Sequence, residues 1–165
     1  MVKTTRKFSK VLVSIDGSEP SMKAAEYAII VARSNESQLI ALHVLFSQTG
    51  YAYSSGTFGG LVTPNSIKAI YDGAKQDAQL WFDTIRTKID DEERVYPGRK
   101  PIDLKTDVVV TATSVAAAVV GYSDQNDIDL IVIGTRGRSG FKRLLLGSVA
   151  SGVVTYSNCP VMVVK

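Results

Sequence analysis

A chain of 165 residues with a net charge of +3, 45% apolar and 21% charged residues has the balance of one compact folded domain, not of a disordered or fibrous protein. One cysteine and one histidine rule out an intramolecular disulfide and a four-ligand zinc centre, and no apolar run approaches the ~20 residues of a membrane-spanning helix. The charge is too small to point to nucleic acid by its sum, so what matters is where the cations fall.

The first cations, Lys3, Arg6, Lys7 and Lys10, read as a solvated arm. No apolar stretch of a signal peptide follows them, and the expected location is a reducing cytoplasm, with no membrane association. Lys10-Val11-Leu12-Val13-Ser14-Ile15 is short, β-branched and apolar and stops at Asp16-Gly17-Ser18, as a buried strand running into a turn does. Ser18 then suits an N-cap and Pro20 a first helical turn, after which Met22, Ala25, Ala28, Ile29 and Ala32 recur at helical spacing up to Arg33. Gln38 to Leu45 is a second strand, apolar except for His43, which reads as a packed, hydrogen-bonded core residue because no triad partners accompany it.

From Phe46 to Asn65 the chain is rich in Gly, Ser and Tyr and has no periodicity; its length fits either a functional flap or a disordered segment. Tyr51, Tyr53 and Phe58 lack interleaved cations there, which favours flap or partner contacts over stacking on bases. Ser66 to about Asp90 places Ile67, Ile70, Tyr71, Ala74, Ala78, Trp81, Phe82 and Ile85 at steps of three and four, predicting a long amphipathic helix with Trp81 in the core. A charged connection from Asp91 to Pro101 leads to a third strand, Leu104 to Val110, and a short alanine-rich helix from Ser114 to about Ser123.

Asp129-Leu130-Ile131-Val132-Ile133 is a fourth strand ending at Gly134, Gly147 to Ser157 a last helix, and Val161 to Val164 a fifth strand behind Cys159-Pro160. Cys159 reads as a buried structural thiol. Strands alternating with helices predict an α/β fold: a single domain over residues 1–165 built on an open five-stranded, mostly parallel sheet with helices on both faces. Such sheets bind ligands beyond the carboxyl ends of their strands.

At those ends stand Asp16 after the first strand and Gly134-Thr135-Arg136-Gly137-Arg138-Ser139-Gly140 after the fourth, with Gly147-Ser148 opening the last helix. Glycines let backbone N–H groups approach an anion, the helix N-terminus adds partial positive charge, Ser148 supplies a hydroxyl, and Arg136, Arg138, Lys142 and Arg143 add attraction. A bare glycine loop serves an ordinary turn equally well, and Asp16 could simply close a turn or cap a helix.

The spacing is more specific. Gly134, two residues, Gly137, nine residues, then Gly147-Ser148 resembles the nucleotide-binding signature of the universal stress protein family. The likeness extends to Val11-Leu12-Val13-Ser14-Ile15-Asp16-Gly17-Ser18, to Leu42-His43-Val44 and to Cys159-Pro160-Val161-Met162-Val163-Val164, and so spans nearly the whole chain. It implies the fold described above and an adenine nucleotide as ligand, ATP or else AMP or ADP, with or without magnesium, because members carrying the full glycine signature bind ATP. Carried over to this sequence, the resemblance puts Asp16 and the backbone of Val44 on adenine and Ile133 and Gly134 along the adenosine. It puts Gly137, Gly147, Ser148 and Val149 around the phosphates, beside Arg138. Two places depart from the pattern: Ser14-Ile15 before the first aspartate, and Thr111-Ala112-Thr113 where a glycine-containing turn is usual.

The function expected is a nucleotide-responsive stress or regulatory module with little or no turnover, because no general base and no acidic pair stands near the phosphates. Slow hydrolysis or self-phosphorylation on Ser148 or Ser139 is one alternative, and a structural, partner-binding dimer without nucleotide is another. A phosphorelay receiver would need an aspartate after the third strand, where Thr111 stands, and no Walker loop is present. The short apolar fifth strand, Val161 to Val164, is expected at the sheet edge, pairing with a second copy in a homodimer, as the family resemblance also implies.

Overall fold

The computed structural model describes residues 7–47, 64–137 and 146–165. In chain order the elements are β1 (Lys10–Ser14), α1 (Glu19–Asn35), β2 (Gln38–Phe46), α2 (Pro64–Val95), β3 (Leu104–Thr111), α3 (Val115–Gln125), β4 (Leu130–Gly134), α4 (Ser148–Tyr156) and β5 (Val161–Val164). The strands form one sheet in the order β3-β2-β1-β4-β5, and every neighbouring pair is parallel. Parallel neighbours need crossovers, which is why a helix follows each of the first four strands.

Alternation within the strands sorts the core onto two faces. Val11, Val13, Leu39, Ala41, Leu130 and Val132 point to the side covered by α1 and α2, whereas Leu12, Ile40, Leu42, Ile131 and Ile133 point to the side covered by α3 and α4. Ala24, Ala25, Ala28 and Ala32 of α1 are fully buried, so this helix meets the sheet through small side chains and lies close to it. Ser18 caps α1, its Oγ accepting from the Ser21 N–H at 3.4 Å, and Glu36, in the left-handed region at φ 57°, ends it.

α2 is longer at both ends than its periodicity suggested. It begins at Pro64, a residue suited to a first helical position because its missing N–H would have no partner there, and continues through Val95. The polar residues after Asp90 stay helical because Arg33 of α1 faces Glu92 and Glu93 at 3.2 and 3.8 Å. The expected loop at 46–65 thus yields Phe46 to β2 and Pro64 and Asn65 to α2. Lys3, Arg6, Tyr51, Tyr53, Phe58, Arg138, Ser139, Lys142 and Arg143 lie outside the described residues, as do the side chains of Ile67 and Ile70.

His43 is buried as expected. Trp81 is only partly buried, packed against the edge of the α1–α2 core. Cys159 is half-buried and not enclosed, because it sits where the chain turns from α4 into β5, its Sγ within 3.4–3.5 Å of the Ser157 and Ser123 hydroxyls.

Candidate functional site

From β1 the chain winds outward through β2 to β3, then returns to the other side of β1 for β4 and β5. The reversal leaves the carboxyl ends of β1 and β4 with connections that diverge to opposite sides, which opens a crevice between them.

One wall is the turn after β1. The Ile15 N–H still donates to the Leu42 carbonyl at 2.8 Å, after which Asp16 closes the turn: its Oδ1 accepts from the Ser18 N–H at 3.0 Å and the Ser18 hydroxyl at 2.5 Å. Ser21 braces the same turn, its Oγ donating to the Ser18 carbonyl at 2.9 Å and receiving the Asp16 N–H at 3.3 Å. Gly17 holds φ 77°, and a Cβ there would fall inside the Trp81 indole, so the position needs glycine for both conformation and space. Behind the turn the His43 Nδ1–H donates to the Ile15 carbonyl at 2.8 Å, and the imidazole meets the Trp81 ring edge to face at 5.1 Å. Asp16 is therefore held by its own turn, while its other carboxylate oxygen faces the segment after β4.

That segment forms the opposite wall. Thr135 pins it through the backbone: its N–H donates to the Val164 carbonyl at 2.8 Å, and its carbonyl accepts from the Gly147 N–H at 2.7 Å. Gly134 allows the first turn of α1 to lie against β4, since a Cβ at 134 would sit 2.7 Å from the Pro20 carbonyl carbon and oxygen. Gly147 is the N-cap of α4 and brings no capping side chain to the positive end of that helix. Gly137 comes closest to Asp16: a Cβ there would be 2.7 Å from Oδ2.

Asp16, Val44, Ile133, Gly134, Gly137 and Val149 line this one crevice. Gly147 and Ser148 adjoin Val149 at the start of α4, Ser148 being exposed, and Arg138 lies outside the described residues. Sequence reasoning missed Ser14, Ile15, Ser21 and Val115 as lining residues, and counted Arg136 only as a nearby cation. Thr111-Ala112-Thr113, which depart from the family pattern, do not line the crevice, whereas Val115, at the start of α3, does. The first helical residue after a parallel strand could have been singled out by the carboxyl-end rule.

Chemically, Val44, Val115, Ile133 and Val149 supply apolar walls, Asp16 a carboxylate, and Arg136 and the start of α4 positive charge. Among the described residues the crevice encloses about 70 Å³, where apolar surface, a carboxylate and positive charge meet. Among the described residues no three His, Cys, Asp or Glu side chains are grouped to hold a metal ion, and no helix is long and apolar enough to cross a membrane.

The profile of the Universal stress protein family matches residues 7–165. Universal stress protein MJ0531 of Methanocaldococcus jannaschii is 30% identical over 158 residues, 96% of this chain and 82% of that one. Universal stress protein UspA from Lactobacillus plantarum superposes with a TM-score of 0.70 at 23% identity, covering 97% of this chain and 99% of that chain. The universal stress protein from Archaeoglobus fulgidus, solved in complex with dAMP, gives 0.62 at 20% identity, covering 97% and 100%. At such identities the two structures speak for the fold alone. The family profile spans β1 to β5, including both walls of the crevice and the glycines between them, and the chain belongs to the universal stress protein family.

Proposed function

We propose that the crevice binds an adenine nucleotide, ATP in the first instance with ADP or AMP as alternatives, and that the protein is a nucleotide-responsive regulatory module. One observation carries this reading: at Gly137 bare backbone lies directly against Asp16, so close that a Cβ would clash with Oδ2 at 2.7 Å, and both border the same crevice. At the carboxyl ends of parallel strands, bare backbone beside a carboxylate suits a ligand that meets main-chain N–H groups and an acceptor together. The relative from Archaeoglobus fulgidus solved with dAMP supports the ligand class.

In this reading Asp16 and the Val44 backbone hold adenine, and Ile133 and Gly134 flank the adenosine. Gly137, Gly147, Ser148, Val149 and Arg138 surround the phosphates at the positive end of α4. Magnesium, when present, would be held by the phosphates themselves, since no three His, Cys, Asp or Glu side chains are grouped to hold it among the described residues. Binding without efficient turnover follows from the same inventory: His43 is committed to the Ile15 carbonyl, and Asp16, here on adenine and away from the phosphates, is the one carboxylate among the described residues that line the crevice.

The test is to heat-denature purified protein, identify released nucleotide by anion exchange, and titrate the stripped protein with ATP, AMP and GTP by calorimetry. Wild type is expected to prefer ATP or AMP over GTP, and Gly137→Val to bind at least ~10-fold more weakly, about 1.4 kcal/mol, with its circular dichroism unchanged. Wild-type protein that neither carries nor binds nucleotide would end this reading and leave the partner-binding dimer.

The same proposal includes a homodimer through β5. This strand is the last in the sheet, and Val161, Met162 and Val163 are only half-buried within one chain. Apolar side chains beside an open strand edge suit pairing with a second copy.

A further inference from the structure

The outer strands of the sheet, β3 and β5, each have one side without a neighbouring strand. Such an edge is a template on which another chain can pair, and folded proteins blunt it with charged side chains or cover it. With eight residues against four in β5, β3 is the longer template. The Asp103 and Thr111 carbonyls accept from the Leu39 and Ser47 N–H groups at 2.9 and 2.7 Å. The odd-numbered residues of β3 therefore turn their backbone to β2, and Leu104, Thr106, Val108 and Val110 turn theirs to the open side.

In the middle of that row both backbone groups of Val108 are taken. Its N–H donates to Asp107 Oδ1 at 2.9 Å, and its carbonyl accepts from the Tyr71 hydroxyl at 3.4 Å. The two caps are supported from opposite faces of the sheet, since Asp107 Oδ2 accepts from the Tyr122 hydroxyl of α3 at 3.0 Å, whereas Tyr71 belongs to α2. Lys75, its Nζ 4.5 Å over the Tyr71 ring, and the exposed Lys105 add charge beside the same edge.

A strand joining β3 needs the N–H and carbonyl of successive outward residues. With Val108 occupied, Val110 is left on one side and Leu104 and Thr106 on the other, and neither stretch approaches the roughly five to six residues of an ordinary strand. We propose that Asp107, held by Tyr122, is a latch that keeps the edge of β3 closed to a second copy of this chain, and that its loss uncovers a self-association surface there. The latch acts independently of nucleotide and of pairing at β5.

The test compares full-length wild type, Asp107→Asn and Asp107→Val by NMR hydrogen exchange of backbone amides and by light scattering over a range of concentrations. In wild type the Val108 amide should exchange at least ~10-fold more slowly than that of Thr106, although both lie on the open side. Asp107→Asn, which keeps an acceptor oxygen, should retain this protection and the wild-type mass. Asp107→Val frees the Val108 N–H; it should lose the protection and gain mass by at least ~2-fold as concentration rises. The gain is expected whatever the wild-type state, because monomers would pair through β3 and dimers already paired through β5 would extend into longer assemblies. A wild-type Val108 amide that exchanges as fast as that of Thr106 would overturn the proposal even where Asp107→Val does not fold, and so would a folded Asp107→Val that keeps the wild-type mass at every concentration.

Discussion

Glycines that look alike in the sequence do different work. Gly137 faces a carboxylate across the crevice, whereas Gly134 faces the backbone of Pro20, which cannot move without lifting the first turn of α1. Gly134→Ala is therefore expected to destabilise the fold by about 1–3 kcal/mol, the usual cost of overpacking, read as a lower urea midpoint. Gly73, exposed in the interior of α2, meets nothing within 4 Å of where its Cβ would be. Gly73→Ala should raise the same midpoint, by about 0.5–1 kcal/mol, because it only removes backbone freedom from the unfolded chain. The glycine spacing was legible in the sequence, but which glycine faces backbone and which faces a carboxylate was not, because Pro20 and Asp16 lie more than a hundred residues away in the chain.

Between elements, the bond from the Tyr122 hydroxyl to Asp107 Oδ2, 3.0 Å long, ties α3 to the edge strand β3. Burial first, and then the hydrogen bond to Asp107 and its charge, push the Tyr122 hydroxyl from 10.0 up to about 12. A folded-state value above the unfolded one means that the neutral phenol stabilises the fold fully below pH 10, and that this contribution fades as the pH climbs from 10 through 12. Wild type should accordingly lose stability in that window more steeply than Tyr122→Phe, measured by urea unfolding at successive pH values. At pH 7 Tyr122→Phe should be weaker by about 1–2 kcal/mol for the lost bond to a charged group. Element positions were largely readable, since apolar runs and helical spacing are local, but the C-terminal end of α2 was not. Asp91 to Arg94 look like a connection until Arg33, on another helix, meets Glu92 and Glu93.

For the whole molecule, the proposed dimer depends on the edge of β5. The Pro160 and Val164 carbonyls accept from the Ile131 and Thr135 N–H groups, so the even-numbered residues turn their backbone toward β4, and Val161 and Val163 turn theirs to the open edge. Val163→Pro removes an N–H from that edge and leaves the ladder to β4 in place. By light scattering the variant is expected to be a folded monomer and wild type a dimer; a folded, dimeric variant would refute β5 pairing.

Contiguous residues were enough to establish the alternation of strand and helix, the turn at Asp16-Gly17-Ser18 with its N-cap, and the glycines that open the segment after β4. Each of these depends on side-chain period or backbone conformation within a few residues. Only the tertiary structure decided that β1 lies between β2 and β4, that Asp16 therefore meets Gly137, that Val115 and Ser21 line the crevice, and that Arg33 is buried beside Glu92 and Glu93. Strand order and helix packing bring together residues far apart in the chain, and no local pattern records which distant backbone or side chain will stand opposite.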